Sequence, residues 1–549
     1  MYTARQRTYH SPGRLVMKSV MFLAPVLLIT SCTKLLHKED ISIGRIENYD
    51  QLLGAVAGVY GRMDRAVNLR TGFYGANLKG DDLCNYYGEY DFDTSTGQCF
   101  QPTAVPLDQF NRGNWSFLYD VIGSANNIII QYNLSTTKDA ATRALLGEIY
   151  LLRAYCYFRL TRTYGEIPLV DNINVSYSTP KASFIQIYQF IENDLKTAMT
   201  LLPDNNSTAR IPYVTPHRGT AKAMLAEVYL SRAGYPLKDI SKYTLAAKEA
   251  GEVIDSADYF GYALLNDFAW LWDRAHLYNS ESEFSLYCSN TNDPEYPSIT
   301  YYWNGFYYAS DFAALFDWGS IVPGKEVFIQ YYASGVKFYN DYPPEYRKEI
   351  TFFTNLYHYY RTDSAGIRVY RDSLYSHMDR ITSCSRIAYR KFYYDPEIIS
   401  DSLVYVAYGN DETYYGLPRI YIFRYAMTLL TYAEAMARSG KPDAKAYECV
   451  NEIRRRAHHL DPYSPSAYDL QPGMPPEAFA DSVVAERGRE LAGEPEGRWF
   501  DLLRLDRVNE LSDLLDPDEQ VSPDVHLSEQ YYFLFPPQGD VDLNPNLGE

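Results

Sequence analysis

The 549-residue chain is 46% hydrophobic and 22% charged, a globular composition that excludes both a disordered chain and a polytopic membrane protein. Its formal charge of −18 repels phosphate backbones, so no nucleic-acid partner is expected. Tyrosine is the outlier, 54 residues in a chain whose aromatics total 15%. Most such rings pack in cores, but a ring with an apolar face and a hydroxyl also suits recognition of sugars or peptides.

The first segment reads as an address. Met17–Cys32 spells MKSVMFLAPVLLITSC, with Arg14 and Lys18 ahead of an apolar run, Val20 to Ile29, that is too short to span a bilayer. The run ends in Ile29-Thr30-Ser31-Cys32, which resembles the lipobox of bacterial lipoproteins and implies acylation at Cys32. Residues 1–31 are therefore predicted to be a lipoprotein signal peptide, with Met1 or Met17 as the start, and residues 32–44 a lipidated tether. Residues 1–31 carry Arg5, Arg7, Arg14 and Lys18 and no acid, so their removal takes the charge from −18 to −22.

Apolar spacing then predicts helices over 46–65 and 111–133, the second carrying Trp115, Leu118, Tyr119, Ile122, Asn126, Ile129 and Ile130. Asp139 opens a long helix with Leu145, Ile149, Leu152 and Cys156 on one face, stopped at Gly165 with Pro168 beyond. A helix at 182–202 follows. Two helical pairs come next, 219–233 with 241–257 and 421–439 with 442–457, each close to the ~34-residue period of a tetratricopeptide repeat. His458–His459 ends the last, where a cationic side chain is favourable. The segments 66–110 and 260–415 are long, rich in Tyr, Trp, Asp, Asn and Gly, and hold short β-like runs at Ile367–Tyr370 and Arg386–Phe392. The fold class is mainly α, a tetratricopeptide-like helical-repeat scaffold with long loop-rich, partly β insertions. Its parts are an N-terminal helical part (about 45–259), a loop-rich insertion (about 260–415) and a C-terminal part (about 416–549).

Chemistry-bearing motifs are missing. No HExxH, Walker A loop, GxSxG elbow or metal-spaced cysteine pair occurs, so no cofactor, metal or catalytic residue is expected. Cys156 and Cys449 lie on helical patterns as buried thiols, and Cys84 and Cys99 share one loop-rich segment where a disulfide is conceivable.

Six segments, taken in order, resemble the SusD/RagB family of outer-membrane nutrient-binding lipoproteins. They are WSFLYDVIGSANNIII (115–130), IYLLRAYCYFRLTRTYGEIPLV (149–170), GTAKAMLAEVYL (219–230), FRYAMTLLTYAEA (423–435) with NEIRRRA (451–457), ERGRELAGEPEGRWFDLLR (486–504) and the NPN at Asn544–Asn546. Gly493 and Pro495 depart from the usual spacing of the fifth. Arg487, Arg489, Glu490, Arg498, Trp499 and Asp501 read as scaffold, since arginine's fixed fork suits buried carboxylate clamps.

The resemblance implies a non-enzymatic, lipid-anchored surface protein of the outer membrane, facing the exterior. It would bind an oligosaccharide and cap a SusC-like TonB-dependent transporter as its lid. The alternatives are a peptide-binding uptake lipoprotein of the RagB kind, or a helical-repeat adaptor for proteins with no small ligand. Stacking candidates are Trp270 and Trp272 in DFAWLWDRAH, Tyr301, Tyr302, Trp303 and Tyr307 in TYYWNGFYY, and Trp318. In the early insertion Tyr74, Asp81, Asp82, Tyr86 and Tyr87 stand out.

Overall fold

The computed structural model describes residues 46–68, 80–85, 108–173, 176, 178–273, 275–287, 314–316, 327–329, 332–352, 359–362, 368–371, 389, 391, 419–514 and 532–548. The first half is a run of helices: α1 (Tyr49–Asn68), α2 (Asp108–Leu134), α3 (Ala140–Tyr164), α4 (Phe184–Leu201), α5 (Arg218–Ala233) and α6 (Lys242–Asp255). Local chemistry sets their ends. The Asp139 carboxylate accepts from Thr142 N to cap α3, and Ser183 with Gln186 forms a capping box on α4. Helix α3 stops at Gly165, whose φ of +80° lies in the left-handed region that glycine enters without strain.

Each helix packs on the next, α1 on α2 through to α5 on α6. The chain then leaves the stack and returns as α7 (Tyr425–Arg438), α8 (Ala444–Ala457), α9 (Pro476–Glu490) and α10 (Arg498–Arg504). Helix α7 packs directly against α6, and α8 and α9 against α7. The two helical pairs, about 170 residues apart in sequence, are thus neighbours in one continuous stack, and the loop-rich insertion is a detour from it. Residues 47–549 form one compact unit. The long helix α3 is not the one-faced helix its spacing predicts. Burial runs unbroken from Leu151 to Tyr164 because α2 and α4 cover opposite sides.

One segment differs in type. The spacing predicts a helix from 421, but Arg419–Arg424 is a strand (β2) paired antiparallel with Ser282–Tyr287 (β1), and the helix begins at Tyr425. All six residues of β2 are buried, and a short apolar run buried on both faces carries no period that separates strand from helix. Small antiparallel pairs join Cys84–Asn85 to Tyr332–Ala333, Ala314–Phe316 to Val327–Ile329, and Tyr359–Thr362 to Arg368–Arg371. The last matches the run expected near 367–370. Of the run 386–392, Tyr389 bridges Phe352. Cys156 and Cys449 are buried free thiols. Cys99, the expected disulfide partner of Cys84, lies outside the described residues.

The end of α8 also differs from expectation. Burial lowers the His458 pKa, so this ring is not the expected cation. It stacks on Tyr468, while His459, at φ +57°, stacks on Tyr346. Arg454, Arg455 and Arg456 supply the positive charge in the last turn instead.

Candidate functional site

The segment Glu486–Arg504 is the centre of a buried ionic network. Glu486 and Glu490 sit one turn apart on α9, on one face. The Glu490 carboxylate accepts from Arg424 Nη1 at 2.6 Å, Arg456 Nη2 at 2.7 Å and Arg347 Nη1 at 2.6 Å. Glu486 accepts from Arg347 Nη2 and Arg489 Nη2, both at 2.6 Å. Glu281 accepts from Arg424 and Arg456, and Glu494 from Arg424 and Lys391. On the other side of α9, Arg487 bonds Glu227 and Asp501, and Arg504 clamps Glu434 at 2.7 and 2.6 Å. Further on, Glu496 holds Arg159, Arg162 and the Tyr155 hydroxyl. Trp499 and Phe500 join Leu502, Leu503, Val508, Leu511 and Tyr532 in a hydrophobic cluster.

This arrangement suits anchoring. Burial alone would raise the carboxyl pKa values, but Arg347, then Arg489 and Arg454, hold Glu486 down at about 2. Arg456, Arg424 and Arg347 overcome burial in the same way and keep Glu490 well below the usual carboxylate range. Acids held ionised by several guanidiniums are poor proton donors.

The candidates named from sequence fall into three groups. Tyr74, Tyr86, Tyr87, Tyr301, Tyr302, Trp303, Tyr307 and Trp318 lie outside the described residues. Trp272, Asp81 and Asp82 are interior. Trp272 is 6% exposed, edge-on to Tyr421 and Phe268, with the Lys391 ammonium 4.6 Å from its ring. Asp81 pairs with Arg498 at 2.8 Å, and Asp82 accepts from Gly493 N at 2.8 Å. These side chains pin loops to the scaffold. Trp272→Ala is therefore expected to cost about 3–5 kcal/mol of stability, read by thermal or urea melts.

Gly493 explains one departure in the motif. Its φ is +73°, and a Cβ there would lie 2.8 Å from the Tyr389 ring. The inserted glycine lets Asp82 and Tyr389 close on the turn. Burial, and then Asp81, push the Asp82 pKa up to about 7. A folded-state value above the unfolded one favours the protonated fold. That stability is complete below the ordinary aspartate value of 3.8 and is lost as pH rises through about 7. Asp82→Asn, which cannot ionise, is expected to raise the melting temperature at pH 8, by on the order of 1–3 kcal/mol of stability, and to change little at pH 4. Melts at the two pH values check it.

Trp270 forms the third group. It is 37% exposed, and its indole stacks on the His276 imidazole at 4.6 Å and 11°. Asp273 fixes that imidazole, its two carboxylate oxygens 2.7 and 2.8 Å from Nδ1. Sequence reasoning missed His276 and Asp273, although their three-residue spacing stands in DFAWLWDRAH. Among the described residues, no group of three or more His, Cys, Asp or Glu side chains is placed to hold a metal ion.

A family model described as "SusD family" matches residues 271–548, half of the chain. The chain belongs to the SusD family. A second model, described as "Starch-binding associating with outer membrane", matches residues 47–230. A SusD-like protein P2 of Formosa agariphila is 26% identical over 411 residues, covering 72% of each chain. A crystal structure of a SusD homologue from Bacteroides thetaiotaomicron superposes with a TM-score of 0.67 at 22% identity, covering 92% of this chain and 97% of the other. A structure described as a laminarin-binding SusD-like protein gives a TM-score of 0.64 at 20% identity, covering 91% and 98%. The SusD fold therefore spans the helical stack and the insertion together. In this member the network around Glu490 joins them, since Arg347 and Lys391 belong to the insertion and Arg424 and Arg456 flank the returning repeat.

Proposed function

We propose that the protein is a surface lipoprotein that binds an oligosaccharide and delivers it to a SusC-like TonB-dependent outer-membrane transporter, acting as its lid. Family membership carries the reading, and the family's description ties it to starch binding and the outer membrane. The laminarin-binding relative, alike in fold over 91% of this chain, favours a glycan over a peptide. The role needs no chemistry on the cargo. A rigid stack carrying loops with exposed aromatic rings can stack on the apolar faces of a sugar, and moderate affinity lets the cargo be passed on. Lipid attachment at Cys32 would hold the binder at the membrane.

Ligand contacts are proposed at Trp303 and its aromatic neighbours Tyr301, Tyr302, Tyr307 and Trp318, with Tyr74, Tyr86 and Tyr87 from the early insertion. A glycan array and a peptide panel, probed with the full-length protein in detergent, test the reading. Saturable glycan binding that weakens in Trp303→Ala is expected. Binding to peptides alone would replace the glycan with the RagB-like alternative. Binding to neither, with capture of folded proteins only, would favour the adaptor.

A further inference from the structure

The loop that displays Trp270 is held from below. Arg419, 2% exposed on β2, donates through Nη2 to Leu271 O at 2.7 Å and through Nη1 to His276 O at 3.4 Å and to Leu277 O. Its guanidinium lies 4.0 Å from the centre of the Tyr421 ring. Asn279 donates to His276 O at 2.8 Å and to the Tyr421 hydroxyl at 2.9 Å. At the front of the loop, Asp267 accepts from Ala269 N and from the Tyr346 hydroxyl, both at 2.8 Å. Asp273 accepts from His276 N at 2.8 Å as well as orienting the ring.

This is far more fixation than a surface turn needs. A buried guanidinium serves three carbonyls of one loop, and the product is a tryptophan left 37% exposed between Leu271 and Phe268, which are fully buried. One side of Trp270 is occupied by the His276 imidazole, which the Asp273 carboxylate, its side chain 25% exposed, holds through Nδ1. A flat apolar ring held from behind suits the C–H face of a pyranose. Rigidity in advance removes the ordering cost of binding.

We infer that Trp270 backed by His276 is a preformed stacking subsite for one pyranose ring of the cargo, with Asp273 and Arg419 as its positioning residues. The inference rests on the glycan reading above. It adds a site on the loop that Arg419 of β2 holds.

The test is titration of full-length protein in detergent with laminarin oligosaccharides and with every glycan found on the array. Trp270→Ala is expected to weaken binding about tenfold with an unchanged melting temperature, and Trp270→Phe to retain most of it. His276→Ala is expected to weaken binding and His276→Phe, which keeps a flat ring behind the indole, to restore it. A protein that merely needs His276 for stability would lose melting temperature and not show this split. Wild-type glycan affinity in Trp270→Ala overturns the subsite and leaves the glycan reading standing. Equal losses in His276→Ala and His276→Phe overturn the backing role. If the wild type binds no glycan, both inference and reading fall.

Discussion

Glu490→Ala is expected to lower stability by about 3–5 kcal/mol or more and to leave little folded protein at 37 °C. The side chain is wholly buried and meets Arg347, Arg424 and Arg456 at 2.6–2.7 Å. Removing it leaves three guanidiniums facing one another out of reach of water, and Glu281, Glu486 and Glu494 compensate only in part. Glu490→Gln keeps the shape and acceptor oxygen but removes the charge, so a smaller loss is expected. The same residues set the acid limit. Glu486 and Glu490 have folded-state pKa values below the unfolded ones, so their contribution is present above the ordinary value of 4.5 and fades as pH falls toward about 2. Melts from pH 7 to pH 3 should show a steep fall for wild type and a flatter one for Glu490→Gln. A Glu490→Ala protein that melts like wild type would mean that the network is not what joins insertion to stack.

How much of this was legible in the sequence depended on the physical range of each signal. Helix ends written in local chemistry, such as Asp139, Ser183 with Gln186, and Gly165, are readable because the capping atoms lie within four residues. The return of α7 onto α6 joins residues about 170 positions apart, and no spacing encodes it. Nor does spacing reveal β2, whose six buried residues feed straight into a helix with the same apolar density. Arginines in the 486–504 motif were legible as scaffold because arginine is seldom buried without a carboxylate. Their partners Glu227, Asp81 and Glu434 come from three distant segments. For the site, side-chain type pointed to Trp270 and Trp272 equally. Only the fold separates them, turning Trp272 against Tyr421 and presenting Trp270 on His276. Asp81 and Asp82 looked like surface acids in an aromatic loop, yet long-range contacts with Arg498 and Gly493 place them inside.

Cys32→Ala is expected to shift nearly all of the protein from the membrane fraction to the soluble one. In the proposed reading, acyl chains on Cys32 are the anchor. Among the described residues, no helix is long and apolar enough to cross a membrane. A body carrying a formal −22 after removal of residues 1–31 is repelled by anionic lipid surfaces, so electrostatics works against retention. Each buried methylene contributes about 0.8 kcal/mol, and one myristoyl chain alone binds only marginally, whereas several chains on one residue hold firmly. Wild type should therefore stay with membranes through a high-salt wash, and Cys32→Ala should leave even at low salt. A Cys32→Ala protein that remains membrane-bound would show that docking to a partner, and not lipid, retains it. In the proposed reading, the tether also lets the lid move. Thirteen residues, 32–44, reach roughly 45 Å when extended, enough for a binder to swing away from a transporter mouth and return without leaving the surface. Shortening the tether while keeping Cys32 should thus preserve membrane attachment and glycan affinity but slow uptake in cells, which separates the lid from the anchor.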